Sequence, residues 1–268
     1  MIKMKNLLLF VIPLVFLFSC KNETKTTEES TQKVELIPEK VTLQGTIENP
    51  VSESAEIRGE GIVGMKGLKV DVVDGKFNME FELTEPTNLT FIHGQESASL
   101  YLEPGDEVTM TLNPKQFDET IQLSGKGAEE SNFLFKKYLL REGMGEMKDI
   151  FTLDKNAFAA KQNEIRDLII SNLEEHAKVN PDINPDFVDA QKNSTHYSWA
   201  NNKMNYPGYY SYFTKEDEPD MGDDYFSFMN DINLNDEKAY KSDRNYSMLV
   251  QGFIRNGTSD IKLSLIHI

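Results

Sequence analysis

Hydrophobic and polar residues alternate with period two over residues 40–125, and the period turns helical after that, so the pattern predicts a β half followed by a helical half. "VTLQGTI" places Val41, Leu43, Gly45 and Ile47 at alternate positions. "LKVDVV" runs through Asp74-Gly75 into "KFNMEFEL", where Phe77, Met79, Phe81 and Leu83 share one face. Two alternating runs joined at Asp-Gly predict a hairpin. "TNLTFIH", "ASLYLEPGDEVTMTL" and "ETIQLSG" supply further strands, with Pro104-Gly105-Asp106 turning the chain inside the longest run. About seven or eight short strands with turns at this spacing and no helix between them predict an antiparallel β-sandwich or an open barrel.

From "GKGAEESNFLFKKYLL" onward the apolar residues fall at helical spacing, which makes the fold class α+β, with a separate helical region over residues 126–258. The clearest helix follows Asp154 as N-cap and carries Phe158, Ile165, Ile169, Leu173 and His176 on or near one stripe. Asn180-Pro181 and Asn184-Pro185 each pair a capping residue with a proline suited to the first helical position, and the second is expected to launch "DFVDAQKNSTHYSWANNKM". "DDYFSFMNDI" predicts a short helix, and a longer one is expected from about Asp236 to Arg255, ended by Asn256-Gly257. These helices have few long apolar faces, which implies another surface to pack on. The chain shows no internal repeat.

The first residues change the picture. "MIKMKNLLLFVIPLVFLFSC" joins a basic start at Lys3 and Lys5 to an apolar run and the small residues Ser19-Cys20. That is the grammar of a secretory signal peptide, residues 1–19, and the run is short of the ~20 apolar residues of a membrane span. Leu17-Phe18-Ser19-Cys20 resembles the bacterial lipobox, so Cys20 is expected to carry lipid and begin the mature chain; an uncleaved anchor with an incidental cysteine is the alternative. Cys20 is the only cysteine, so no disulfide forms within the chain and no CxxC exists in it. Residues 20–39 are polar and rich in Thr and Glu, as expected of a flexible tether.

The formal charge is −16, and cleavage after Ser19 would remove two lysines and no acid. A chain this acidic is not expected to bind nucleic acid through phosphates or an anionic bilayer through charge, so membrane association is assigned to the N-terminal lipid. The expected location is the cell envelope, on its periplasmic or outer-membrane face.

Candidate chemistry is sparse. Asp182, Asn184, Asp186 and Asp189 look like the start of a calcium loop, but the sixth place lacks Gly and the twelfth is Asn193 rather than Glu; two Asn-Pro helix starts explain the cluster better. The acidic run 216–224 reads as a solvated loop. His93, His176, His196 and His267 lack ligand spacing, and Ser124-Gly125-Lys126-Gly127 lacks the spacing of a phosphate loop. No catalytic, metal or cofactor site is expected. Trp199, Tyr206, Tyr209 and Tyr210, within a dense aromatic stretch, could line a ligand or peptide groove, although the core of a helical subdomain poor in Leu and Ile is the preferred account.

"LYLEPGDEVTMTLNPKQFDETIQLSGKGAEESNFLFKKYLL" resembles the N-terminal module of Bacteroidetes lipoproteins in the TlpA-like thiol-disulfide oxidoreductase family. "YLEPGD" together with "SGKGAEESNF" is distinctive, while the helical region agrees only in layout. The resemblance covers residues 1–258 and implies the order lipobox, tether, uncharacterised β domain, helical linker, then a thioredoxin-like domain bearing CxxC. No position here matches that CxxC, so no catalytic residue is implied. The last residues, "LSLIHI", translate CTG TCT CTT ATA CAC ATC, which resembles a transposon mosaic-end adapter used in shotgun library preparation. Residues 259–268 are therefore expected to mark a truncation near Lys262 followed by adapter sequence; a genuine edge strand, "IKLSLIHI", is the alternative. Two functions remain open at this point. One is the membrane-tethered spacer or substrate-presenting part of an envelope protein-disulfide reductase, itself without the redox centre and with envelope proteins as clients. The other is a stand-alone, non-enzymatic lipoprotein that binds a protein or glycan.

Overall fold

The computed structural model describes residues 36–222 and 224–266, those after Arg255 by backbone only. Eight strands come first: β1 (Glu39–Ile47), β2 (Ser54–Arg58), β3 (Gly67–Asp71), β4 (Lys76–Leu83), β5 (Thr87–His93), β6 (Glu96–Leu102), β7 (Glu107–Leu112) and, after the short α1 (Phe117–Thr120), β8 (Gln122–Lys126). They build two four-stranded sheets, ordered β4-β1-β7-β8 and β3-β2-β5-β6, and neither closes into a barrel. Among the described strands one pairing departs from the antiparallel expectation: β1 and β7 run parallel, with Leu43 opposite Val108. They can do so because β1 and β7 are far apart in sequence, whereas tight turns enforce antiparallel neighbours.

The alternating residues behave as the pattern requires. Val41, Leu43, Met79, Leu83 and Met110 of one sheet and Ile57, Phe91, Leu100 of the other all enter one buried cluster. Phe77 and Phe91 meet across it with ring centroids 5.4 Å apart. Phe77 lies over Gly45, its cross-strand partner, so closely that a Cβ at Gly45 would come within 2.6 Å of the ring and 2.7 Å of the Met110 carbonyl. Glycine is required there by space rather than by backbone angle.

The expected Asp74-Gly75 hairpin forms its turn but not its pairing. Asp74 and Gly75 both have positive φ, at 50° and 73°, and Val73 and Lys76 exchange both backbone hydrogen bonds at 2.9 Å. Beyond that bridge the strands part: β3 pairs with β2 in one sheet and β4 with β1 in the other. The turn sets the chain reversal; burial of Phe77, Met79, Phe81 and Leu83 selects the partner. The expected strand inventory also lacked β2, whose five residues "SAEIR" are too polar to stand out.

The helices follow: α2 (Ala128–Glu142), α3 (Met147–Phe151), α4 (Lys155–Val179), α5 (Pro185–Thr214), α6 (Glu237–Ser242) and α7 (Arg244–Ile266). Asp154 caps α4 by accepting from the amides of Asn156 and Ala157, and Asn184 caps α5 by accepting from that of Asp186. Asn180-Pro181 starts no helix. α5 continues past Met204 and through Pro207 for 30 residues. An interior proline costs about 3 kcal/mol, and local packing offsets it: Tyr206 stacks on Phe158 at 4.1 Å and donates its hydroxyl to the Leu153 carbonyl at 2.7 Å.

Two expectations about the C-terminal helices need correction. The single helix over 236–255 is two, broken at Asp243, which takes extended backbone and accepts from the amides of Asn245 and Tyr246 as cap of α7. The helix also does not stop at Gly257, and residues 259–266 are helical rather than an edge strand. One interior glycine costs about 1 kcal/mol, and no proline follows it to halt the helix. "DDYFSFMNDI" contributes a 3-10 segment, Tyr225–Asp231.

Helix α2 joins the two halves through adjacent polar residues. Ser131, with no exposed surface, accepts from the Tyr101 amide and donates to the Tyr101 carbonyl, both at 3.0 Å. Asn132 does the same for Leu123, accepting at 2.8 Å and donating at 2.9 Å. Tyr101 lies on β6 and Leu123 on β8, each at one edge of its sheet, so one turn of helix satisfies backbone groups at one edge of both sheets. The described residues belong to one compact unit, Leu36–Ile268. Outside the shared sheet core, the helices bury three smaller clusters rich in aromatic residues. Among the described residues no helix is long and apolar enough to cross a membrane.

Candidate functional site

The site expectations resolve differently. Cys20 and His267 lie outside the described residues. Trp199, Tyr206, Tyr209 and Tyr210 all project from α5 but form no common groove. Tyr206 is completely buried with Phe151 and Phe158, and Tyr210 packs at the edge of that cluster. Tyr209 is 40% exposed and touches Phe151 with centroids 4.9 Å apart. Trp199 belongs to a second cluster with Met204, Phe228 and Tyr246. Only Trp199 also borders a cavity described below.

The other candidates have structural roles. His93 is fully buried; its Nε2 accepts from the Val51 amide and its Nδ1 faces the Ser54 carbonyl, both at 3.0 Å, which selects the neutral ring protonated at Nδ1. His176 Nε2 lies 2.9 Å from the Glu129 carbonyl and ties α4 to α2. His196 stacks on Trp199, and burial with the nearby Arg166 charge lowers its pKa. Asn184, from the calcium-like cluster, is committed to capping α5 and to a contact with Glu103. Asp182 borders one cleft while Asp186 and Asp189 border another. Among the described residues no three His, Cys, Asp or Glu side chains are grouped to hold a metal ion.

One cavity of about 210 Å³ opens between α2, α3, α4 and α5. Lys137 and Arg141 sit one turn apart on α2 and border it together with Arg166 of α4. No carboxylate lines it, in a chain whose acids outnumber its bases 44 to 28. Ile150, Phe151 and Trp199 form its apolar side, and Gln162, Ser198 and Asn202 add neutral polar groups. Lys137 donates to Gln191 Oε1 at 2.9 Å. Burial, reinforced by the Arg141 charge and opposed by Asp243, pushes the Lys137 pKa down to about 8. Arg166 pairs with Asp167 at 2.9 Å and lies over the Trp199 ring at 4.8 Å, while Lys203 approaches the same ring at 4.5 Å. The indole N–H donates to Asn163 Oδ1 at 2.8 Å, which fixes the ring plane.

Sequence reasoning missed the three cations. Lys137 and Arg141 do stand at i,i+4 spacing, which puts them on one helix face, but nothing in the sequence placed Arg166 opposite them.

A second cleft, of about 560 Å³, lies where the sheets meet the helices and is bordered by Glu103, Asp106, Glu129, Glu130 and Asp182 with Lys126. Asp106 is 3% exposed and accepts from the Glu103 amide at 2.7 Å. Burial raises its pKa to about 6 against that hydrogen bond, with neighbouring Glu103 adding to the rise. Glu130 accepts from the Asn184 amide at 2.8 Å and so links α2 to the start of α5. Comparison with family models, with curated proteins and with solved structures returned no match.

Proposed function

We propose that the chain is the membrane-tethered spacer or substrate-presenting part of an envelope protein-disulfide reductase, itself without the redox centre. The observation that carries this reading is the position of the sole cysteine. Cys20 closes an apolar leader at a lipobox-like "LFSC" and is followed by a polar stretch and then by strands and helices in the order that the resemblance implies. Disulfide reduction needs an attacking thiolate and a second thiol to resolve the mixed disulfide, and one cysteine supplies only the first. In this reading the two sheets act as a sandwich module, since residues of both enter one core. Its α2 clamp couples them to the helices, as a spacer requires. Met248, Phe253 and Ile254 on α7 are exposed apolar side chains of the kind that a thioredoxin-like domain would cover.

Amplifying source DNA across the Lys262 codon tests the assignment. The expected result is an open frame continuing into a domain with CxxC. A natural stop after the codon for Ile268 overturns it. Anchoring is tested separately: Cys20→Ala should abolish labelling with palmitate and move the chain from the detergent phase, and unchanged labelling refutes the lipid attachment. Dithiothreitol-driven insulin reduction by the chain should stay at the no-protein background.

The cationic cavity favours a second reading, a stand-alone lipoprotein that binds a ligand without enzymology. A stop codon in the source gene together with ligand binding would select it.

A further inference from the structure

We infer that the cavity between α2, α3, α4 and α5 binds a small carboxylate with an aromatic or branched apolar body. The inference is independent of the reductase assignment.

Charge is the first ground. Lys137, Arg141 and Arg166 converge on a cavity lined by no acid. Like charges one helical turn apart are unfavourable, and Lys137 is half-buried as well, whereas Arg141 stays exposed. Existing partners relieve this incompletely. Arg166 shares its charge with Asp167. Lys137 donates to a neutral amide, Gln191 Oε1. The Arg141 guanidinium makes no hydrogen bond or ion pair among the described residues. A bound anion would supply what these groups lack.

Unused donors are the second ground. Gln162 is only 2% exposed, and its oxygen accepts from Asn202 Nδ2 at 3.0 Å. Its amide nitrogen has no partner among the described residues, and no buried polar atom there is both enclosed and unpaired. The nitrogen therefore opens onto the cavity that Gln162 lines. An acceptor-rich guest is what this lining suits.

Shape and composition narrow the class. Arg166 is already committed to Asp167, so the free cationic donors are those of Lys137 and Arg141. That pair can hold one carboxylate, and the apolar lining beside it favours an organic acid over inorganic phosphate. Ile150, Phe151 and Trp199, which line the same cavity, would cover an apolar body. The volume of about 210 Å³ admits a small acid and no folded partner.

Trp199 is the only tryptophan, so tryptophan emission comes from a residue that lines this cavity. The full chain, purified from membranes in detergent, is titrated with phenylacetate, with uncharged phenylacetamide, with acetate and with inorganic phosphate. Phenylacetate should shift the emission and saturate with a Kd on the order of millimolar or tighter. Phenylacetamide and acetate should each bind about tenfold more weakly, for want of the charge or the body. Arg141→Met should weaken phenylacetate about tenfold or more. Lys136→Met, which removes a neighbouring charge outside the cavity, should leave it unchanged. Thermal unfolding of each variant without ligand separates lost binding from lost fold, and Lys137→Met serves if Arg141→Met does not fold. The inference is overturned if phenylacetamide or phosphate binds as tightly as phenylacetate, if the Arg141 and Lys137 variants bind normally, or if phenylacetate does not saturate.

Discussion

Asp106 shows how much a single position in a turn can carry. The sequence marks Pro104-Gly105-Asp106 as a turn, and the turn forms, with Gly105 at φ 80°. What the sequence does not disclose is that the carboxylate ends up 3% exposed beside Glu103 and Glu130. Its folded pKa of about 6 lies above the ordinary 3.8. Between those values the folded chain holds a proton that the unfolded chain has released, so this group's contribution to stability is full below about pH 4 and is lost as pH rises through about 6. Asp106→Asn keeps an oxygen for the Glu103 amide and removes the charge. It should stabilise the chain by about 1–2 kcal/mol at pH 8 and by little at pH 4, as read from urea unfolding at the two values. An equal effect at both would show that ionisation is not the cause. Gly45 is the matching steric case. Gly45→Ala should cost about 1–3 kcal/mol, because the Met110 carbonyl on the far side cannot swing away as the Phe77 ring can.

Among the elements, α2 does the most to define the architecture. Its periodicity is plain in "AEESNFLFKKYLL", but the consequential residues are the two polar ones that periodicity ignores. Ser131 and Asn132 use side chains as surrogate strand edges for β6 and β8. Ser131→Ala and Asn132→Ala should each cost about 1–3 kcal/mol, since each leaves a backbone donor and acceptor of an edge strand unpaired. Hydrogen exchange should localise the loss: at the Tyr101 amide for Ser131→Ala and at the Leu123 amide for Asn132→Ala. Uniform loss of protection in both would mean that the bonds are dispensable and only helix packing matters. The Asp74-Gly75 turn teaches the complementary lesson, since its local signal is obeyed in full while its strands join different sheets.

At the scale of the whole molecule, the helices are held to the strands by polar seams as well as apolar packing, and cleavage should reflect that. The mostly exposed acidic connection that follows α5, residues 215–222, separates helices that bury only small clusters. Limited proteolysis should cut there first and leave a resistant product running from β1 through α5, since α2 shares the sheet core through Ala128 and Phe135 and packs on α4 and α5 through Phe133, Ile169 and Phe187. A first cut between β8 and α2 would contradict the clamp formed by Ser131 and Asn132.

The division between sequence and structure follows the range of the forces involved. Alternation, capping and turn chemistry act within a few residues, so β1, β4, α4, the caps Asp154 and Asn184 and the Asp74-Gly75 turn were all legible. Helix continuity through Pro207 and past Gly257 was not, because local breakers were outweighed: at Pro207 by the contacts of Tyr206 with Phe158 and Leu153, and at Gly257 by the low cost of one glycine. Strand order, the parallel β1–β7 pair and the meeting of Lys137, Arg141 and Arg166 depend on segments far apart along the chain. They are chosen by which faces can be buried together and which backbone edges can be satisfied, quantities that exist only once the whole chain has closed on itself.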